Sequence, residues 1–362
     1  MGWAALSELV PYYPLYALLF LDTGLSESQV SFLFALWSVT ALLTEVPAGV
    51  LADRWSRRKV LAVAGALRAA AFAVWTAAPG FPSFAAGFII WGVSGALVSG
   101  TSEALVYDGL AALGAQESYV RINGWMTAAE LGIQAPTALA ASVLFALGGY
   151  GLVGWVSAGV CLAAGLLALR FPEAPRSPED DEAPLRTGVL ESLRSPALRL
   201  VVPAVVLVGG LDAIEEYFPI LAGDHGIPAA AVPGAVLGIS LAGAAGAAVG
   251  SRVRRFPVPI ALAVAGLCLA AAAVVPGPAA LVAAAVFYGL YLVALVVAEA
   301  RLQDRITGPY RATITSVAGL GIEVASLLVF AAWARGGVGA VAVLVLAVVP
   351  VTAVGLRSRA PA

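Results

Sequence analysis

Three acidic side chains stand together inside one apolar stretch, "GGLDAIEEYFPIL" (Gly209–Leu221). Asp212 and Glu215 are three residues apart, and Asp212 and Glu216 are four apart, so on a helix they loosely share one face. Carboxylates this close to each other disfavour double ionisation and titrate as a pair. The spacing therefore indicates proton binding or recognition of a cationic group.

Two further carboxylates are isolated near the middle of other apolar stretches, Glu130 and Glu323. A carboxylate in a low-dielectric surrounding can bind and release a proton near neutral pH. Each could serve in proton transfer. The alternative is a carboxylate hydrogen-bonded to Ser, Thr or Tyr of a neighbouring helix.

Glu45 and Arg68 flank a short charged connection, at about eight and nine residues from it. At 1.5 Å per helical residue, both lie roughly 12–14 Å from this connection, measured along the axis of each helix. Equal depth on neighbouring helices predicts an intramembrane ion pair, with a substrate or proton role as the alternative.

Three tyrosines could line a cavity: Tyr12 and Tyr13 in the first apolar stretch, and Tyr217 in the seventh. Aromatic rings stack on amphiphilic compounds and hold cations over their faces. Packing between helices is the alternative for each ring.

The elements that must position these side chains are membrane helices. The 362 residues are 61% hydrophobic and 12% charged, with a mean hydropathy of +0.94. A soluble domain is about 45–50% apolar and about 25% charged. A helix crosses a bilayer with roughly 20 apolar residues, and backbone in lipid must pair internally. We predict an all-α polytopic membrane protein with twelve spans: 3–21, 29–52, 59–78, 82–106, 119–146, 150–170, 197–222, 229–250, 257–275, 279–301, 311–333 and 338–356.

Basic residues predict the orientation of these spans. Of the 20 Lys and Arg, 18 fall in alternate connections or at the chain ends on one side, and Arg335 alone lies on the other. Because cytoplasmic loops are enriched in Lys and Arg, both termini are expected in the cytoplasm. The first span lacks the basic start of a cleavable leader, so we predict a multi-pass protein of the cell membrane.

A polar, Pro-rich and acidic stretch at 171–195 is predicted to be a cytoplasmic linker. It separates an N-terminal bundle at 1–170 from a C-terminal bundle at 196–362. The halves repeat short patterns in the same order, such as "EALVYD" (103–108) and "EARLQD" (299–304). Two pseudo-symmetric six-helix bundles are typical of transporters, whose binding site lies between the repeats.

The connection between the second and third spans, "GVLADRWSRRK" (Gly49–Lys59), carries a further pattern. It resembles the signature of the major facilitator superfamily, although Ser56 replaces a usual Gly. The positions that match are Gly49, Asp53, Arg54, Arg57, Arg58 and Lys59. The resemblance implies the twelve-helix fold of that family, and it covers the whole chain through the two-bundle layout.

The resemblance also implies that this cluster latches the cytoplasmic side of the outward-facing state. Asp108, at the cytoplasmic end of the fourth span, is the expected partner of Arg54 or Arg57. Alternatively the arginines only follow the positive-inside bias, and we favour that interpretation for Arg58 and Lys59.

Other classes of function find little support in the sequence. The single His225 and two cysteines within apolar stretches, Cys161 and Cys268, offer no metal-ligand cluster. No phosphate-cradling Gly-Lys-Ser/Thr loop is present. A net charge of −2 does not favour a nucleic-acid partner. We therefore expect no enzyme, no cofactor and no metal.

The leading hypothesis is secondary active transport of a small molecule by alternating access in a lipid bilayer, by a monomer. In-span acids outnumber the in-span base Arg68, so we expect proton-coupled efflux of an amphiphilic or cationic compound. Proton-coupled uptake of a small metabolite, and a membrane receptor or scaffold without transport, are the alternatives.

Overall fold

The computed structural model describes residues 1–173, 198–253, 256–306 and 311–356. Within these ranges the regular structure is helical throughout and contains no β-strand. The prediction of an all-α fold is confirmed. Helices follow from the composition, because they satisfy backbone hydrogen bonds within one segment.

The first half of the chain holds seven helices separated by short turns. They are α1 (Gly2–Glu8), α2 (Tyr16–Asp22), α3 (Glu27–Arg54), α4 (Arg57–Ala77), α5 (Phe81–Val98), α6 (Thr101–Ala112) and α7 (Tyr119–Ala168). Ser26 begins α3 with a capping box, because Ser26 and Gln29 each accept a hydrogen bond from the other's backbone N–H.

The described residues of the second half form six helices and a stretch of tighter 3-10 helix. They are α8 (Leu198–Gly210), the 3-10 segment Leu211–Tyr217, α9 (Phe218–Asp224), α10 (Val232–Gly250), α11 (Val258–Ala272), α12 (Ala279–Arg305) and α13 (Arg311–Gly355). A single 3-10 turn, Ala229–Ala231, precedes α10.

The chain divides into two compact units. One contains Met1–Glu179 with Pro228–Gly234, and the other contains Asp180–Ile227 with Ala235–Ala362. Of the predicted linker 171–195, only residues 171–173 are among those that the structure describes, so its role stays a prediction.

Seven helical stretches within the described ranges are long and apolar enough to cross a membrane. Two of them, α7 and α13, each contain two helices joined at a kink, and α11 is a shorter apolar helix. This arrangement is consistent with the twelve predicted spans.

The kinks of α7 and α13 have the same design. Gly148-Gly149 and Gly336-Gly337 break the helical dihedral angles, and the second glycine of each pair has a positive φ, 58° in Gly149 and 56° in Gly337. A positive φ is accessible to glycine at little cost and is costly for other residues. The two halves therefore share a turn that the sequence pattern "GG-x-G" marks twice.

We predict that Gly149→Ala lowers stability by roughly 1–3 kcal/mol, because φ 58° with ψ −158° is a backbone conformation essentially restricted to glycine. A Cβ at Gly149 would meet no atom within 4 Å, so the effect is conformational and not steric. Gly151→Ala is the matched control, because that site has a negative φ and equal space. Thermal unfolding in detergent measures both, and equal shifts in the two variants would contradict the prediction.

Three predicted spans are interrupted, which the hydropathy pattern did not indicate. The first span breaks between α1 and α2, where Pro11 and Pro14 remove backbone donors and clash with the preceding turn. The seventh span narrows into the 3-10 segment Leu211–Tyr217 after Gly209 and Gly210. A Cβ at Gly210 would lie 2.5 Å from the Ala325 Cβ, so glycine lets α13 approach closely here.

A third interruption lies in the fourth span. Between α5 and α6, Ser99 has non-helical dihedral angles, φ −53° and ψ 130°, and Gly100 has φ 68°. The helix therefore restarts at Thr101.

The core of the N-terminal half is aromatic. Trp75, Phe20 and Phe88 are fully buried, and their ring centroids lie 4.7–5.7 Å apart. Tyr16, Phe72 and Trp91 extend the same cluster. In the C-terminal half, aliphatic side chains from α8, α11, α12 and α13 pack together.

Candidate functional site

In the C-terminal half, one tyrosine hydroxyl binds two carboxylates. The Tyr288 oxygen lies 3.2 Å from Asp212 Oδ1 and 3.1 Å from Glu215 Oε2. A phenol carries one hydrogen and can also accept one bond. A single proton on the pair would let one carboxyl donate to Tyr288 while Tyr288 donates to the other, so the geometry suits two acids that hold one proton.

The 3-10 segment is what aligns these two acids. It has three residues per turn, so side chains at i and i+3 lie one above the other. Asp212 and Glu215 therefore point to one side, more closely than the loosely shared face expected from an α-helix. Glu216 follows directly in the chain and is half-buried.

Two tyrosines of α12 support this arrangement, and the sequence reasoning missed both. Tyr288 is buried, and Phe218 packs edge-on against its ring with 5.1 Å between centroids. The Tyr291 hydroxyl donates to the Val208 oxygen at 3.1 Å, which satisfies a carbonyl at the end of α8. Their three-residue spacing within an apolar span was the available signal.

In the N-terminal half, Arg68 lies at the break of the first span. Its Nη1 donates to the Ser7 oxygen at 3.4 Å and to the Tyr13 hydroxyl at 3.3 Å. The Glu8 carboxylate interacts electrostatically with Arg68 and with Glu130. The structure thus brings Glu8, Tyr13, Arg68 and Glu130 into one group.

The predicted ion pair between Glu45 and Arg68 is not formed. The Glu45 carboxylate accepts a hydrogen bond from Ser99 Oγ at 2.9 Å, and Arg68 binds Ser7 and Tyr13. The prediction was based on equal depth along neighbouring helices, and depth does not fix the direction in which a side chain leaves its helix.

A small cavity of about 20 Å³ borders Arg68 within the same half. Ser7, Ser94 and Cys161 also line it. A cavity of this size has room for about one water. Cys161 is a buried free thiol.

We predict that Arg68→Ala destabilises the protein and that adding Glu8→Gln restores part of the loss. Glu8 would lose its cation, worth on the order of 1–3 kcal/mol at several ångströms and an effective dielectric of about 20. Adding Glu45→Gln to Arg68→Ala should restore nothing, because Glu45 binds Ser99. Unfolding of the purified variants compares the pairs, and rescue by Glu45→Gln would contradict the assignment.

The predicted cavity tyrosines separate into two kinds. Tyr12 and Tyr217 are fully buried, Tyr12 against Phe72 and Tyr217 stacked on Trp333 at 4.1 Å. The expectation that they line a cavity is wrong for this structure, because neither ring has accessible surface. Tyr13 is half-buried and stacks on Trp91 at 5.6 Å.

One arginine of the charged connection Gly49–Lys59 is buried. Arg57 is buried and forms an ion pair with Asp108, one of the two contacts that the sequence suggested. Asp53 and Arg54 are exposed, and Gly49 is half-buried. The structure therefore selects Arg57, and not Arg54, as the partner of Asp108.

Arg58 has a partner that the sequence reasoning missed. Glu173, just past α7, accepts from Ser56 Oγ at 2.9 Å and from the Arg58 backbone N–H at 3.3 Å, and pairs with Arg58 Nε at 3.6 Å. Partial desolvation works against ionisation, but these hydrogen bonds and the Arg58 charge lower the pKa of Glu173. The start of the predicted linker therefore contacts the charged connection.

The remaining two predicted carboxylates lie in α7 and α13. Glu130 is half-buried in α7, and Glu323 is exposed in α13. Over the described ranges, no group of three or more His, Cys, Asp or Glu is placed to hold a metal ion.

The long apolar helices of the described residues define a polytopic membrane protein. A sequence model of the Major Facilitator Superfamily matches residues 2–330. The chain belongs to this superfamily, whose members are transporters and not enzymes.

A curated relative is an uncharacterized MFS-type transporter of Mycobacterium tuberculosis, MT2531. It is 32% identical over 164 residues, which are 45% of this chain and 38% of the relative's length.

Solved structures share the fold at low sequence identity. The nucleoside transporter NupG is 12% identical, with a TM-score of 0.72 over 98% of this chain and 96% of its own. A bacterial homolog of the human lysosomal transporter Spinster is 13% identical, with a TM-score of 0.73 over 98% of this chain and 92% of its own. The D-xylose-proton symporter is 15% identical, with a TM-score of 0.71 over 96% of this chain and 95% of its own. At these identities the three structures show a shared fold.

Proposed function

We propose that this transporter couples movement of a small molecule to protons, and that Asp212 and Glu215 form its proton-binding group. The observation that carries the proposal is the single Tyr288 hydroxyl between the two carboxylates. One proton on the pair relieves the repulsion between two neighbouring negative charges, of which Asp212 is half-buried and Glu215 is exposed. When that proton is lost, both carboxylates are charged and the Tyr288 hydroxyl can donate to only one of them. This favours a different arrangement of the 3-10 segment.

The direction that we propose is efflux, with an amphiphilic or cationic substrate. Acidic groups in both halves support a cationic cargo: Asp212 and Glu215 in one, Glu8 and Glu130 in the other. Glu130 and Glu323 are further candidate proton carriers. Proton-coupled uptake of a small metabolite is the second candidate, since a protein of the same fold is named as a D-xylose-proton symporter. A receptor without transport would show no flux.

Transport in proteoliposomes tests this proposal. Proteoliposomes that contain the purified protein are loaded with tetraphenylphosphonium, uridine or D-xylose, and flux is measured with and without an imposed pH gradient. Flux of the cation that follows the pH gradient supports efflux, and gradient-driven accumulation of uridine or xylose supports uptake. A pH gradient without effect on any transported compound would overturn proton coupling.

We further propose a monomer in the cytoplasmic membrane with both termini inside, and a cytoplasmic latch built on Arg57 and Asp108. The layout is testable with Trp55→Cys and Asp180→Cys in a chain whose two native cysteines are replaced. Both positions should react with a membrane-impermeant reagent only from the cytoplasmic side. Labelling from opposite sides would exclude the layout.

A further inference from the structure

The second half of the fourth span, α6, is attached to the protein in an unusual way. Thr101 is its only buried residue. By contrast, α5 and α4 each bury a row of large side chains, including Phe84, Phe88 and Trp91 in α5. Because apolar burial is what normally fixes a helix in place, α6 needs other contacts to hold its position.

Polar contacts hold α6 at both ends. At its start, the exposed Glu45 carboxylate of α3 accepts a hydrogen bond from Ser99 Oγ at 2.9 Å. Towards its end, Asp108 pairs with Arg57 of α4. Hydrogen bonds to an ionised group are roughly twice as strong as neutral ones.

The junction between α5 and α6 has the backbone of a hinge. Gly100 has φ 68° and ψ −34°, and a Cβ there would meet no atom within 4 Å. A glycine in open space can change its dihedral angles without steric cost. The Ser99 side chain, bound to Glu45, is the residue directly before it.

A third observation lies beside the hinge. Thr101 Oγ1 is buried with no hydrogen-bond partner, the one such side-chain atom among the residues that the structure describes. A buried hydroxyl without a partner is costly, and such atoms call for an explanation. A rotation at Gly100 would carry Thr101 to a new surrounding, so the present position is maintained against this cost.

We propose that α6 is a hinged segment that pivots at Ser99–Gly100, and that Glu45 is the positioning residue that holds the hinge in the arrangement seen here. Release of the Glu45–Ser99 bond would let Thr101 leave its unsatisfied position and would move the helix that carries Asp108. This inference does not rest on the proposed proton coupling.

Amide hydrogen exchange of the full chain in lipid nanodiscs tests the hinge without any substrate. Glu45→Ala and Ser99→Ala remove the same bond from its two sides. Both are expected to speed exchange at 101–112 by about tenfold or more, since opening of a local unit sets the rate. Exchange in α4 and α5 should not change. Thr101→Val removes the unsatisfied hydroxyl at nearly constant volume and should slow exchange at 101–112.

Thr44→Val is the matched control, because the Thr44 hydroxyl bonds only within its own helix, at 2.7 Å to the Thr40 oxygen and 3.3 Å to the Ala41 oxygen. Unchanged exchange at 101–112 in both Glu45→Ala and Ser99→Ala overturns the proposal, as does faster exchange in Thr101→Val. If Glu45→Ala loosens every helix, the smaller Ser99→Ala change decides the result.

Discussion

Replacing Asp212 by asparagine is expected to abolish transport driven by a pH gradient while exchange of substrate across the membrane continues. The amide keeps the oxygen that accepts from Tyr288, so the 3-10 segment retains its support. It cannot bind or release a proton, so the Asp212–Glu215 pair loses its shared proton. Glu215→Gln should act in the same way, because the proton belongs to the pair.

The measurement uses whichever compound of the three is transported by the unmodified protein. Gradient-driven flux should fall to the level of empty liposomes, whereas exchange with substrate on both sides should remain. Full gradient-driven flux in both Asp212→Asn and Glu215→Gln would remove the pair from the mechanism and leave Glu130 and Glu323 as candidates.

Tyr288→Phe tests the role of the hydroxyl separately from the role of the two acids. Both carboxylates remain but lose their common donor, so we expect a displaced pH dependence of transport and not a loss of coupling. Tyr150→Phe is the matched control, since its hydroxyl donates to Asp22 Oδ2 at 2.6 Å outside the acidic pair.

Much of the fold could be predicted from the sequence because the bilayer leaves few choices. Apolar stretches of about 20 residues must be helical in lipid. The Gly-Gly kinks in α7 and α13 fall where short connections between spans were expected. The breaks after Glu8 and Gly210 were not predicted, because Pro and Gly are tolerated within membrane helices and so do not mark where one is interrupted.

The site was predicted in part, and the failures have a common cause. Asp212 and Glu215 were recognised from their spacing, but Tyr288 lies on a different span, and helix pairing is not written in local sequence. Glu45 and Arg68 were matched by depth alone and bind other partners. Local patterns fix depth and side-chain type, whereas tertiary packing fixes which faces meet.

Arg57→Ala is expected to destabilise the protein much more than Arg58→Ala, although the two residues are adjacent in one motif. Arg57 and Asp108 have side-chain exposures of 10% and 25%, against 41% and 30% for Arg58 and Glu173. Breaking a buried pair costs about 3–5 kcal/mol, because a charge is left without a partner. An exposed pair contributes about 0–1 kcal/mol. Between these limits we expect about 2–3 kcal/mol for Arg57→Ala and under about 1 kcal/mol for Arg58→Ala.

A double-mutant cycle with Asp108→Ala isolates the contact. Once Asp108 is removed, Arg57→Ala should cost little further, so the two losses should fall short of additivity by at least about 1 kcal/mol, as for residues in direct contact. Unfolding by a denaturing detergent in mixed micelles provides the free energies, with Arg58→Ala in the same background as the control. Additive losses would mean that Arg57 acts only through the positive-inside bias, and the latch proposed on this pair would then have no energetic basis.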